Sequence, residues 1–114
     1  GHAVGDKVLQ MAAQTLANGL RALDVACRWG GEEFVLITPN ITVESLGIMA
    51  DRLRILVENS WLDYEGERLA VTASFGGAVS QVGETAESVV ARADKQVYTS
   101  KENGRNRVTI DAAG

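Results

Sequence analysis

The sequence predicts an α+β fold, an α/β sandwich in which helices flank one central sheet. Three segments repeat apolar residues at spacings of three and four, which is typical of amphipathic helices. Shorter apolar or alternating runs lie between them and are typical of strands. Because helices and strands alternate along the chain, we expect them to share one layered core. The length of 114 residues is that of one domain, which we assign to residues 1–114.

The first predicted elements are a helix over residues 6–20 and a β-hairpin. Apolar residues recur on one side of the helix, and Asp6 stands at its start, where a carboxylate caps free backbone amides. Gly30 and Gly31 then separate two short apolar runs, a pattern that predicts a tight turn between two strands. Pro39 ends the second strand because it has no backbone N–H to donate.

A second helix and another strand are predicted in the middle of the chain. The helix begins after Thr42, whose hydroxyl is a suitable N-cap. Its apolar face consists of Leu46, Met49, Ala50, Leu53, Leu56 and Val57. Residues 59–66 are predicted to form a polar turn region, and the alternation over 69–75 predicts a strand. Gly76 and Gly77 at its end mark a bulge or the close approach of another backbone.

The last predicted elements are a third helix and a short strand. The helix is expected over residues 85–101, with Asn103 and Gly104 as its C-terminal cap. Its buried side is expected to carry Val89, Val90, Ala93 and Val97. Residues 107–110 are predicted to form the final strand.

Composition narrows the function classes. A net charge of −4 argues against nonspecific binding to nucleic acid or to an anionic membrane surface. Cys27 is the only cysteine, so an intrachain disulfide is excluded, and we expect it to be a small buried residue on a strand. No apolar run reaches the length of a membrane span. We therefore expect a cytoplasmic domain without membrane contact of its own, while a longer parent protein remains free to be membrane-anchored.

The stretch RWGGEEFVLI, residues 28–37, combines the predicted turn with two adjacent carboxylates, Glu32 and Glu33. Adjacent carboxylates repel each other unless a positive group lies between them, and a metal ion is the usual one. A solvated hairpin tip is the alternative interpretation. Trp29 and Phe34 flank the glycines, and we expect them to pack in the core rather than to stack on bases.

Five segments follow one another in a fixed order: GHAVGD at 1–6, RALD at 21–24, RWGGEEF at 28–34, VTASFGGA at 71–78 and ARADKQVYTSKENGRNRV at 91–108. In this order and spacing the chain resembles the GGDEF domains, the diguanylate cyclase family, in the variant with glutamate in the third place. The resemblance covers nearly the whole chain. It implies that two GTP molecules are condensed into cyclic di-GMP with release of pyrophosphate, across a homodimer that brings two active sites together.

The resemblance also assigns roles to the hairpin and to the first helix. Glu33 is implied as a ligand of Mg²⁺ (or Mn²⁺). Glu32 is implied as the catalytic carboxylate, which assists the metal or deprotonates the ribose 3′-hydroxyl. Gly30 and Gly31 allow the backbone to come close to the nucleotide. Asp6 corresponds to the residue that reads the guanine edge, although a role as N-cap fits it as well.

Two further sites are implied. Lys101 and Arg105 match the family's triphosphate contacts, and their spacing of four at the end of a predicted helix lets both project toward one site. Cations at this place also suit the helix dipole. Arg21 and Asp24 match the family's inhibitory site for the product, cyclic di-GMP, and Arg52 resembles the second arginine that often joins it. An ordinary surface ion pair and a solvated arginine are the alternatives.

One segment of the family has no counterpart in this sequence. Before GH..GD the family carries a strand and turn with an aspartate that binds the metal and an asparagine that reads guanine. We therefore expect an N-terminally truncated GGDEF domain with unpaired strand edges, low stability and an incomplete metal site. The alternatives are that another chain donates the strand, or that the remnant is stable by itself.

Other functions stay open beside the enzyme. A catalytically incompetent module could bind cyclic di-GMP through Arg21 and Asp24, or bind GTP, and regulate a partner domain. The chain could also be a folding remnant without activity. The motif residues present are all of catalytically competent type, which favours an active enzyme.

Overall fold

The structure, a computed structural model, describes residues 2–113, and the chain divides into two compact units. The first unit contains the described residues up to Pro39 together with Ile55–Val71, and the second contains Asn40–Arg54 and the described residues from Thr72 onward. The elements in chain order are α1 (His2–Gly19), β1 (Val25–Gly30), β2 (Glu33–Ile37), α2 (Val43–Glu58), β3 (Trp61–Tyr64), β4 (Glu67–Ala70), β5 (Phe75–Gly77), α3 (Ala86–Glu102) and β6 (Val108–Ile110). No helix among the described residues is both long and apolar enough to cross a membrane.

The predicted α+β class is confirmed, but the strands pair differently from the single central sheet that we expected. The described strands form three two-stranded sheets, β1 with β2, β3 with β4, and β5 with β6. The first two pairs lie in the first unit and the third lies in the second unit. Each strand therefore has one edge without a strand partner among residues 2–113.

Helix α1 begins earlier than the sequence predicts, so the expectation that Asp6 is an N-cap is wrong. The helix starts at His2, and Asp6 lies inside it, exposed to solvent. A glycine at position 5 favours a loop there, but one glycine costs a helix only about 1 kcal/mol. Packing of the apolar side of α1, where Ala12 and Leu16 are buried, offsets that cost.

The hairpin predicted around the glycines is confirmed. Strand β1 runs antiparallel to β2, with Arg28 opposite Phe34 and Gly30 opposite Glu33. The register shifts at Trp29, which makes a β-bulge one residue before the turn.

The expected burial of Cys27 and Trp29 is wrong. Cys27 is exposed, and 63% of Trp29 is accessible to solvent. All six residues of β1 are exposed, whereas the three central residues of its partner β2 are half-buried. The bulge also turns Trp29 out of the regular alternation of side chains. Phe34 is half-buried, which agrees better with core packing.

The region predicted as a polar turn contains a second hairpin, β3–β4. Glu65 and Gly66 connect the strands with φ of 49° and 82°, the two positive values of a type I′ turn. The sequence hides this turn because glutamate seldom adopts positive φ. On the hairpin, the guanidinium of Arg68 lies 4.2 Å from the ring centre of Trp61, a cation–π contact. Helix α1 packs against β3 within the same unit.

Helix α2 begins as predicted. The hydroxyl of Thr42 accepts a hydrogen bond of 3.1 Å from the backbone N–H of Ser45, which is the N-cap geometry. On its apolar face Met49, Ala50 and Leu53 are buried, Leu53 with only 1% of its surface exposed. The predicted apolar face is thus confirmed at these residues and at the buried Val57, but not at Leu56, which is exposed.

The strand predicted over residues 69–75 is divided between two sheets. Strand β4 ends at Ala70, and β5 begins only at Phe75. Strand β4 pairs with β3, whereas β5 pairs with β6 and is half-buried at all three of its residues. Strands β5 and β6 are parallel, and α3 connects them along the chain.

Helix α3 lies within one residue of its predicted bounds, and its predicted C-terminal cap is confirmed. Thr85 accepts a hydrogen bond of 3.1 Å from Ser88 N–H at the start, and Asn103 is the C-cap. The backbone N–H of Arg105 donates to the carbonyl of Ser100 at 2.9 Å, which closes a Schellman motif after the helix. Gly104 in the motif has a φ of +117° that other residues rarely adopt.

The close backbone approach predicted at Gly76 is confirmed. A Cβ atom there would lie 2.2 Å from Val97 N and 2.4 Å from Ala93 O, both on the backbone of α3. The fully buried Ser100 strengthens this contact, since its hydroxyl donates to Phe75 O at 2.7 Å. The same hydroxyl lies 2.7 Å from that of Thr109 on β6. Helix α3 is thus bonded to both strands of the sheet.

We expect Gly76→Ala to destabilise the second unit by about 2 kcal/mol or more, because the methyl group has to displace backbone atoms of α3. Gly5→Ala is the matched control, since it lies in α1 with nothing within 4 Å of the added Cβ. That control should be stabilising by roughly 0.5–1 kcal/mol. Denaturant unfolding of both variants measures the difference, and equal stability would contradict the contact at Gly76.

An ion pair joins the loop before α3 to the helix. Glu84 accepts hydrogen bonds from Arg92 at 2.8 and 2.9 Å, from Ser88 Oγ at 2.7 Å and from Gln81 N–H at 2.9 Å. These donors, Arg92 above all, lower the pKa of Glu84 from 4.5 to about 2. Arg92 also lies 3.4 Å from a carboxylate oxygen of Asp111.

Because the pKa of Glu84 is lower in the folded protein, its carboxylate stabilises the fold above pH 4.5, and this contribution is lost as pH falls toward 2. We expect the melting temperature of the wild type to fall more steeply across this interval than that of Glu84→Gln. Glu87→Gln, on the same helix but outside the ion pair, serves as control and should keep the steep fall. Parallel curves for Glu84→Gln and the wild type would show that the ion pair contributes nothing.

Candidate functional site

The candidate residues are divided between the two units. The first unit carries Asp6, Arg21, Asp24, Gly30, Gly31, Glu32 and Glu33, and the second carries Arg52, Lys101 and Arg105. The geometry of each group is therefore a property of its own unit.

The tip of the β1–β2 hairpin presents both glutamates to solvent. Gly31 and Glu32 connect the strands, and Glu33 opens β2 opposite Gly30. Gly31 has a φ of +52°, in the left-handed region that favours glycine. Apart from the two adjacent residues, no described residue has an atom within 4 Å of the position where a Cβ of Gly31 would be. The glycines therefore leave open space beside the two carboxylates.

Arg28 holds this tip, a role that the sequence analysis missed. Its Nε and Nη2 atoms donate hydrogen bonds of 2.9 and 2.6 Å to the carbonyl of Gly31. Two bonds from one planar guanidinium to one oxygen restrict the turn more than a single bond does. An arginine three residues before a tight glycine turn is the signal that could have indicated it.

The donors at the tip fit a magnesium ion that is shared with a nucleotide. Among residues 2–113 no group of three or more His, Cys, Asp or Glu side chains is placed to hold a metal. Mg²⁺ does not require such a cage, because it is commonly bound by one or two carboxylates together with substrate phosphates and water. Glu32 and Glu33 supply carboxylates of this kind, and both are exposed.

The structure brings Arg21 and Asp24 together. They close a turn in which Asp24 N–H donates to Arg21 O at 3.1 Å and Arg21 N–H donates to Asp24 Oδ2 at 2.8 Å. The guanidinium of Arg21 lies 3.1 Å from Asp24 Oδ1 and lowers the pKa of that carboxyl group. It also donates to the carbonyl of Pro39 at 3.0 Å and to the hydroxyl of Thr38.

This pair is more than a solvated surface ion pair. The side chain of Asp24 is 0% exposed, while that of Arg21 is 49% exposed. Arg21 thereby ties the turn before β1 to the end of β2 and still presents half of its side chain to solvent. Arg52 is exposed on α2 in the other unit.

Lys101 and Arg105 are both exposed at the end of α3, but not as the spacing predicts. Lys101 lies in the last turn of the helix, whereas Arg105 lies beyond the C-cap with a φ of +61°. The argument from helical spacing is therefore wrong for Arg105. Its place is set by the Schellman motif that ends the helix, which brings the chain back toward the last turn.

Comparison with known proteins agrees with the resemblance seen in the sequence. Residues 1–107 match the family described as "Diguanylate cyclase, GGDEF domain". Diguanylate cyclase A of Treponema denticola is 42% identical over 111 residues, covering 96% of this chain. The response regulator PleD of Caulobacter vibrioides is 42% identical over 116 residues, covering 99% of it. The chain spans only 30% and 26% of the lengths of these two relatives.

Solved structures show the same fold. Diguanylate cyclase SiaD of Pseudomonas aeruginosa, solved in complex with its activator SiaC, matches with a TM-score of 0.93 and 36% identity. The match covers 97% of this chain and 43% of that one. The GGDEF domain of DgcB from Caulobacter crescentus, in complex with c-di-GMP, matches with a TM-score of 0.90 and 35% identity, over 96% of this chain and 66% of that one. On this evidence the chain belongs to the GGDEF family of diguanylate cyclases.

Proposed function

We propose that this chain is the catalytic domain of a diguanylate cyclase, which condenses two GTP molecules into cyclic di-GMP. In each half-reaction the 3′-hydroxyl oxygen of one GTP bonds to the α-phosphorus of the other. The bond from that phosphorus to the α–β bridging oxygen breaks, and pyrophosphate leaves. Two half-reactions need two nucleotides facing each other, so the proposal includes a homodimer. The exposed carboxylate pair at the hairpin tip is the observation that supports this function best.

The hairpin tip carries the chemistry in this proposal. Glu33 holds Mg²⁺ or Mn²⁺, and Glu32 assists it or accepts the proton of the attacking 3′-hydroxyl. The bound ion supplies positive charge that offsets the charge of the triphosphate and of the carboxylates. Gly30 and Gly31 leave room for the nucleotide, in agreement with the open space at their Cβ positions. Arg28 keeps the turn in one conformation through its two bonds to Gly31.

The remaining substrate contacts come from cations and from Asp6. Lys101 and Arg105 bind the triphosphate, which a domain of net charge −4 needs because its overall field repels an anion. Asp6 accepts hydrogen bonds from the N–H groups of guanine, and its exposure on α1 leaves it accessible for this. Since GTP is a cytosolic nucleotide, the proposal places the domain in the cytoplasm.

Product inhibition is the regulatory part of the proposal. Cyclic di-GMP binds at Arg21 and Asp24, with Arg52 as a further contact. Arg21 is well suited because Asp24, Thr38 and Pro39 hold it in place while half of its side chain stays exposed. The GGDEF domain of DgcB, in complex with c-di-GMP, shows that a relative binds this ligand.

A second candidate function is a module that binds cyclic di-GMP or GTP without turnover. It is favoured by one observation, the half-exposed side chain of Arg21, which Asp24, Thr38 and Pro39 hold in place. The two functions differ in whether cyclic di-GMP is formed.

Chromatography of GTP incubated with Mg²⁺ and the protein tests the first function. We expect cyclic di-GMP from this chain or from a version extended at its N-terminus, and a loss of about 100-fold or more in Glu32→Gln and Glu33→Gln. Glu67→Gln, an exposed glutamate on the other hairpin, is the matched control and should retain activity. If neither version forms cyclic di-GMP, the cyclase proposal fails.

Calorimetric titration with cyclic di-GMP tests the inhibitory site. We expect Arg21→Ala to weaken binding roughly 10- to 100-fold, because a charge-assisted hydrogen-bond donor is lost. Arg21→Lys should recover little, because lysine keeps the charge but not the planar set of donors. Arg68→Ala controls for the loss of one positive charge, and equal weakening in that variant would contradict a site at Arg21.

A further inference from the structure

The backbone after α3 passes through an unusual run of left-handed residues. Gly104, Arg105 and Asn106 have φ values of +117°, +61° and +46°. Asparagine tolerates this conformation better than most residues, whereas arginine has no such preference. Such a run persists only when its surroundings hold it.

Hydrogen bonds with Ser74 and Arg54 help to hold Asn106 in this conformation. Its backbone N–H donates to Ser74 Oγ at 3.1 Å, and its side-chain Oδ1 accepts from Arg54 Nη1 at 3.1 Å. Arg54 is itself fixed on α2, where its Nε donates to Asp51 Oδ1 at 2.8 Å. The side chain of Arg54 is only 18% exposed, so this contact is shielded from solvent. All these residues belong to the second unit.

Both backbone groups of Arg105, its N–H and its carbonyl, form hydrogen bonds, while its side chain is exposed. Its N–H donates to Ser100 O at 2.9 Å, and its carbonyl accepts from Arg107 Nε at 3.1 Å. The guanidinium of Arg107 packs against Gly104, where a Cβ would lie 2.8 Å from Nη2. The direction in which the side chain of Arg105 leaves the backbone therefore depends on the left-handed run.

We infer that Arg54 is a positioning residue for the phosphate contact. Through Asn106 it keeps the left-handed run in place, and the run aims the guanidinium of Arg105 at the triphosphate. This inference rests on the proposed function, in which Arg105 binds that group. Arg54 acts without touching the nucleotide in this inference, because its guanidinium donates hydrogen bonds to Asp51 and Asn106 of the same unit.

Equilibrium binding of 3′-deoxy-GTP with Mg²⁺ tests the inference, since this nucleotide lacks the attacking hydroxyl and cannot be condensed. We expect Arg54→Met to raise the dissociation constant roughly 10-fold, the range expected when a charge-assisted contact is weakened. Asn106→Gly removes the acceptor of Arg54 and should weaken binding to a similar extent. Because both changes break one chain of contacts, the double variant should bind like Asn106→Gly alone, not with the product of the two effects.

Hydrogen exchange of the Asn106 amide gives a readout that does not involve the nucleotide. The amide should exchange faster in Arg54→Met than in the wild type, because the residue loses its side-chain anchor. Arg68→Met removes one arginine from the other unit and should leave both exchange and nucleotide affinity unchanged. Melting temperatures show whether a variant has merely unfolded, and Arg54→Lys, which keeps a donor, should recover part of the affinity.

The outcomes separate this inference from the proposed function. If the wild type binds 3′-deoxy-GTP and Arg54→Met binds it equally well, the positioning role is refuted while the cyclase proposal stands. Fully additive effects in the double variant also refute it, because Arg54 then acts by a route other than Asn106. If neither this chain nor the version extended at its N-terminus binds the nucleotide, the proposed function fails and the inference fails with it.

Discussion

The second unit depends on the direct contact between the backbones of β5 and α3 at Gly76. A side chain at this position has no room, so the helix lies against the strand at the distance that glycine permits. That approach lets the buried Ser100 reach Phe75 and Thr109, which fixes the C-terminal end of α3. The candidate phosphate contacts, Lys101 and Arg105, lie in and just after this last turn of α3, so their positions depend on it. The packing of α3 at Gly76 thus determines where the two candidate phosphate contacts lie.

In the first unit the candidate catalytic residues lie on a hairpin that is largely exposed to solvent, not on an element fixed by a buried contact. Strand β1 is exposed along its length, and the tip presents Glu32 and Glu33 without a neutralising cation bonded to either carboxylate in the described contacts. The described hydrogen bonds of Arg28 go to the backbone carbonyl of Gly31. Two adjacent carboxylates without a bonded cation repel each other and so do not stabilise the turn. The same arrangement suits the binding of a cation together with a nucleotide.

Features encoded by local signals could be predicted from the sequence. The cap at Thr42, the first hairpin and the close approach at Gly76 all depend on residue types within a few positions of one another. The exposure of Trp29 and the second hairpin could not be predicted, because they depend on which strands find partners. Among functional residues, the adjacent glutamates were visible as a motif. Arg28 offered only its position three residues before the glycine turn. Arg54 offered no signal, since its hydrogen bond reaches Asn106, 52 residues further along the chain.

The most direct test of the central claim is a crystal structure of the protein with 3′-deoxy-GTP and Mg²⁺. The account predicts the metal on Glu33, the triphosphate against Lys101 and Arg105, and the guanine edge at Asp6. It also predicts that the ribose 3′ carbon faces the α-phosphate of the nucleotide bound to a second copy, as condensation requires. A nucleotide bound elsewhere, or bound with Glu32 and Glu33 far from both metal and phosphate, would contradict the assignment of the hairpin as the catalytic site.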